Sequence, residues 1–195
     1  MKRTSRRIAV FKRKPERGAM LIELMIAMFV LATGLGALTT LIVACMTNDN
    51  RNSKDTSATL LAQKVVEELS AQNTNAASTS VILTDCAGNS WTIPSTQGAA
   101  APSGQGAALA TSASSIYYGG IDFTQSPGSV PAGFSMQYVD CSTNGTQTTY
   151  DVRWNVMSVT ANSTRLITAS ARQRGSTSDG LHYAIPVTLR AVGGS

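Results

Sequence analysis

Hydrophobic and polar positions change rhythm three times along this chain. No charged residue occurs from Leu24 to Met46, a run of 23 residues. As a helix rising about 1.5 Å per residue, that run crosses the roughly 30 Å hydrocarbon core of a bilayer. Beyond it, Ala58, Leu61, Ala62, Val65 and Leu69 recur at helical spacing, while Lys64, Glu67 and Glu68 fall elsewhere. This is an amphipathic helix with one apolar stripe, which predicts packing on a sheet. Asn48 to Thr56 is polar but holds no proline, so one helix from about Met20 to Gln72 is predicted.

From Asn73 to about Ser115 the pattern dissolves into Asn, Thr, Ser, Ala and Gly, and Gln97 to Thr111 reads QGAAAPSGQGAALAT. Such composition buries little surface. A long loop is expected there, with short strands near Val81 to Thr84 and Trp91 to Ile93. Period two then takes over. Tyr150, Val152, Trp154 and Val156 alternate with Asp151, Arg153 and Asn155; Ile167, Ala169 and Ala171 alternate with Thr168, Ser170 and Arg172. Ile185, Val187 and Leu189 likewise alternate with Pro186, Thr188 and Arg190. These are three half-buried antiparallel strands. Gly133 to Cys141 adds a fourth, and Asn144-Gly145 supplies the turn to the next strand. The helix stripe covers one face of the sheet, giving an α+β fold in which a long N-terminal helix packs on a C-terminal antiparallel β-sheet.

Charge changes the picture at the N-terminus. The net charge of +5 suggests an acidic partner. Met1 to Gly18, however, holds eight Lys and Arg against Glu16 alone, a net +7, which leaves −2 for the rest. Nucleic-acid binding by the folded domain is thereby excluded. Charged residues are 14% of the chain, against about 25% in ordinary soluble domains. The positive segment stays cytoplasmic by the positive-inside rule, so the C-terminal part is exported. A cleaved secretory signal has a shorter apolar region, about 7 to 15 residues. A permanent single-pass anchor fits length and charge equally well.

Glu23 separates the readings. A carboxylate near the membrane end of a lone helix costs a few kcal/mol unless it meets a cation. Cutting between Gly18 and Ala19 would create one, a new α-amino group positive near neutral pH. The stretch Arg17-Gly18-Ala19-Met20-Leu21-Ile22-Glu23-Leu24 resembles the signal of the type IV prepilins: a basic leader, glycine, and a hydrophobic helix with glutamate at its fifth mature position. The resemblance implies a pilin-like fold divided into a cleaved leader (1–18), a transmembrane and filament-core helix (19–46), its amphipathic continuation (47–72) and an exported, loop-rich β domain (73–195). It also implies cleavage after Gly18 by a prepilin peptidase, N-methylation of Ala19, and a filament-assembly role for Glu23. Other pilins, minor pilins and an inner-membrane assembly platform are the implied partners. The first mature residue of the family is often Phe, and Ala19 departs from it; cleavage depends chiefly on the glycine. YDVRWNVMSVTANSTRLITASARQR is similar to the tail of PilV-like minor pilins, and the loop after the helix resembles the variable connection of pilins.

Gly34 and Gly36 each cost about 1 kcal/mol of helix propensity in water, and in a membrane they permit close helix packing. Cys45 lies in the membrane helix, whereas Cys86 and Cys141 fall in the exported part and are the candidate disulfide; two reduced thiols are the alternative. His182 is the only histidine and has no Cys, Asp or Glu at metal-ligand spacing, so no metal or other cofactor is expected. The acids Asp122, Asp140 and Asp151 are dispersed, Gly119-Gly120 reads as a turn after an aromatic strand, and no hydrolase, P-loop or dinucleotide motif occurs. Asn144-Gly145-Thr146 and Asn162-Ser163-Thr164 match a glycosylation sequon by coincidence, given a prokaryotic leader. The expectation is a non-enzymatic minor pilin. A type II secretion pseudopilin, and an adhesive tip subunit binding ligand through Ala87 to Thr124, stay open.

Overall fold

A computed structural model of the chain describes residues 19–72, 80–115, 117–141, 145–160, 164–175 and 185–194. Gly18 and the basic segment before it, Asn144 of the predicted turn, Asn162 of the second sequon and His182 lie outside the described residues. The chain divides into two units, Met1–Asp49 and Asn50–Ser195, with the division inside the single long helix α1 (Ala19–Ala71).

In the first unit α1 exposes its apolar side chains on all sides. In the second, the predicted stripe is inside: Ala58, Leu61, Ala62, Val65 and Leu69 are all buried, with Val66 beside them. The strands β1 (Ser80–Thr84) and β2 (Ser90–Pro94) form an antiparallel hairpin that stands as its own two-stranded sheet. Its inward residues Leu83 and Ile93 join the core.

The main sheet has six strands: β3 (Ala99–Ala100), β4 (Gln105–Gly106), β5 (Ser135–Cys141), β6 (Gln147–Thr160), β7 (Thr164–Gln173) and β8 (Val187–Gly194). The long β6 organises it. On one side β6 pairs with β7, which pairs with β8; on the other, its first half takes β5 and its second half takes β4 and β3. The sheet is mixed, not wholly antiparallel as predicted, because β3 runs parallel to β6. Gly106 lets β4 reach that position. Its φ of 118° suits only glycine, and a Cβ there would strike the Trp154 carbonyl and the Phe134 ring.

The alternation places Val152, Trp154 and Val156 opposite Ala171, Ala169 and Ile167 in the core, with Tyr150 on the same face. Two boundaries differ from the pattern. The last strand begins at Val187, leaving Ile185 81% exposed, because Pro186 has no N–H to give a ladder. The strand predicted from Gly133 begins at Ser135, since Gly133 turns the chain with φ 81°. Residues 117–119 are turn, so no aromatic strand precedes Gly120.

The larger departure concerns the other face of the sheet. Asp151, Arg153, Asn155, Thr168 and Ser170, read as the polar side of half-buried strands, are buried as well. Part of the low-complexity loop and the residues after it cover them. Ala108 and Ala110 pair with Asp122 and Gly120 through backbone hydrogen bonds, and Ala107, Ala110, Ile121 and Phe123 are buried. The second unit therefore has three layers: helix, sheet and an irregular covering layer.

Candidate functional site

Three arrangements stand out in the chain: the bare half of α1, the clasp at Cys86, and the polar network under the covering layer.

Between Met20 and Met46, sixteen large apolar side chains of α1 are exposed, from 51% at Ile42 to 78% at Met20. Burying each is worth about 2 kcal/mol, on the order of 30 kcal/mol together. The helix is long and apolar enough to span a membrane. Cys45 is exposed on the same surface. Glu23 lies one turn after Ala19 in α1 and is exposed, and no hydrogen bond or ion pair to it occurs among the described residues.

Cys86 and Cys141 are joined by a disulfide, with their Cα atoms 6.0 Å apart. The bridge closes a loop across a sequence separation of 55, which in the chain-entropy picture stabilises by about 4 kcal/mol. Beside it, Asp85 organises the β1–β2 turn. Its carboxylate accepts from the Asn89 backbone N–H at 2.8 Å, from Asn89 Nδ2 at 3.0 Å, and from the Val139 N–H of β5 at 3.1 Å. Burial works against the charged carboxylate, but these hydrogen bonds and one from Ala87 outweigh it and hold the acid below its ordinary value. A covalent bond and a charge-assisted hydrogen bond thus fasten the hairpin to β5 at adjacent residues.

No protein-family model, curated protein or solved structure matches this chain.

Beneath the covering layer, Arg153 is fully buried and grips Asp151 with two hydrogen bonds, Nε at 2.9 Å and Nη2 at 2.8 Å. Its remaining nitrogen donates to the Gln125 carbonyl at 2.7 Å. Arg172 approaches Asp151 at 3.7 Å, and Phe123 lies under both guanidinium groups, 4.9 Å from Arg153 and 4.5 Å from Arg172. Asn155 donates to the carbonyls of Ser103 and Ala107. The loop is therefore held by strand side chains bonding its backbone, which anchors a segment poor in apolar residues. Sequence reasoning missed this network. The available signal was Asp151 and Arg153 two apart on one strand face, with the aromatic Phe123 following the segment expected as a loop.

Arg165 performs a similar task on the helix side. It is 1% exposed and donates to the carbonyls of Leu69 and Gln72 at the end of α1 and to Thr96. Burial lowers its pKa from the ordinary arginine value, yet a cation here satisfies terminal carbonyls and complements the helix dipole. Among the described residues no group of three or more metal-ligating side chains is assembled.

Proposed function

We propose that the chain is a minor pilin. The inner membrane holds it by α1, with the basic N-terminus cytoplasmic and the β domain exported. A prepilin peptidase cuts after Gly18 and methylates Ala19, and an inner-membrane assembly platform packs the product with other pilins into a type IV pilus. The observation that carries this reading is the division of α1: residues 20–46 leave every large apolar side chain exposed, whereas the stripe from Ala58 to Leu69 is buried in the globular unit. One helix serves two surroundings, the globular core at one end and lipid, then neighbouring helices, at the other.

Glu23 favours a filament over a permanent anchor. A lone membrane helix gains nothing from an acid near its end and pays a few kcal/mol for it, while the α-amino group released at Ala19 on neighbouring helices would neutralise it. Gly34 and Gly36 point the same way. A Cβ at either would meet nothing within 4 Å, so packing inside the chain does not call for glycine, but close approach of another helix does.

The test compares wild type with Gly18→Ala and Glu23→Ala by blotting membranes and sheared surface filaments. Gly18→Ala should stay full length in the membrane; Glu23→Ala should be cut but poorly incorporated. Normal processing of the glycine variant would remove the pilin reading, and normal incorporation of the glutamate variant would remove only the assembly role.

A further inference from the structure

Near the start of the second unit, the helix stripe that faces the sheet turns polar. Lys54 lies one turn before the buried Ala58 and so shares the inward face of α1. With Asn50 and Ser57 it forms one wall of a pocket of about 330 Å³, and Asp140, Tyr150 and Gln173 stand on the other. The strand register fixes the direction of those three. Tyr138 and Gln173 both pair with Tyr150, and Asp140 follows Tyr138 by one strand period, so all point to the same face. That face is the helix side, because the Tyr150 hydroxyl donates to the Lys54 carbonyl at 3.2 Å. Lys54 and Asp140 are both half-buried, and among the described residues neither the ammonium nor the carboxylate has a hydrogen bond or an ion pair. Asp55, the other acid near Tyr150, is exposed on the helix flank.

We infer that this pocket holds the headgroup of a phosphatidylethanolamine from the exported side of the membrane. A phosphate alone would meet Asp140, and a cation alone would meet Lys54, each a like charge. A ligand carrying both charges meets each with its opposite: Lys54 donates to the phosphate, and Asp140 accepts from the ammonium, both as charge-assisted hydrogen bonds. Asn50, Ser57 and the Gln173 carboxamide supply further neutral donors and acceptors. The membrane is the source within reach. Asn50 is four residues after Met46, the last of the uncharged apolar run, and so at most about 14 Å from it even along a fully extended chain. The headgroup layer starts at the end of that run and is about 5 to 8 Å thick. Phosphatidylcholine carries the same two charges, but its quaternary ammonium has no N–H for Asp140, and phosphatidylglycerol has no amine. All the pocket residues belong to the second unit; the inference rests on reading α1 as membrane-spanning, which brings the lipid within reach.

The full chain is reconstituted into nanodiscs of phosphatidylcholine with a minor share of phosphatidylethanolamine or of phosphatidylglycerol. Lipid that stays on the chain after mild detergent extraction is identified by native mass spectrometry. Phosphatidylethanolamine is expected to be retained well above its share of the bilayer, and phosphatidylglycerol at or below its share. Asp140→Asn should lower retention of phosphatidylethanolamine about tenfold, by loss of a charged hydrogen bond, and leave phosphatidylcholine unchanged. Lys54→Gln, which keeps helix propensity, should lower retention of both. Co-elution with nanodiscs and thermal unfolding of the two variants should match wild type. A chain that enters no nanodisc would remove the membrane reading and this inference with it. A chain that enters them without any excess of phosphatidylethanolamine, or with an excess that Asp140→Asn leaves intact, would overturn this inference alone.

Discussion

Arg165 on β7 donates through Nη2 to the carbonyl of Gln72, just past the end of α1, at 2.5 Å. The same nitrogen serves Leu69, and Nη1 serves Thr96. A single buried cation thus ties the end of the helix, the strand and the segment after the hairpin together. Replacing it by Ala would orphan these buried carbonyls, and a loss of about 3 to 5 kcal/mol in stability is expected. Chemical denaturation of the full chain, followed by tryptophan fluorescence, measures it. Arg165→Lys should recover only part of the loss, because an ammonium lacks the planar fork that reaches several acceptors.

The Asp151–Arg153 pair yields a prediction about order of damage. Asp151→Ala strands a fully buried guanidinium and should cost about 3 to 5 kcal/mol, whereas the double replacement Asp151→Leu with Arg153→Met should cost less than that single change. A double-mutant cycle by urea unfolding decides it. Equal or greater damage in the double variant would mean that the bond from Arg153 to the Gln125 carbonyl dominates.

Acid should loosen the hairpin through Asp85. Its folded-state pKa is below the ordinary value of 3.8, so its contribution is fully present above that value and is lost as pH falls through the lower folded-state pKa. Hydrogen exchange at the Val139 amide, whose N–H goes to Asp85, should therefore lose protection in that acidic window with the disulfide intact. In Asp85→Asn the same amide should be less protected at neutral pH and change little with acid.

How much of this was legible from sequence depends on the kind of force involved. Helical periodicity found Ala58, Leu61, Ala62, Val65 and Leu69, all buried, because a stripe 3.6 residues apart has one physical use. Period two found one face of β6 and β7 for the same reason. The opposite face was misjudged because alternation shows which residues are polar, not whether backbone will later cover them. Arg153 and Asn155 bury their polar atoms by bonding carbonyls at Gln125, Ser103 and Ala107, and a carbonyl has no sequence signature. Small residues hid the layer further: Ala107 and Ala110 pack closely, yet in sequence they read as low complexity. Cys86 and Cys141 were found from compartment alone, whereas Asp85 beside them, one scattered acid among several, was not.

The central claim is that the membrane helix becomes a filament element only after the chain is cut. The most direct measurement is the intact mass of the protein taken from sheared surface filaments and from membranes of the same cells. The account predicts a filament species beginning at Ala19, with Met1–Gly18 absent and one added methyl group, and a membrane pool that retains the leader when Gly18 is replaced by Ala. A chain that begins at Met1 in every fraction, or one cut elsewhere in its apolar run, would contradict it.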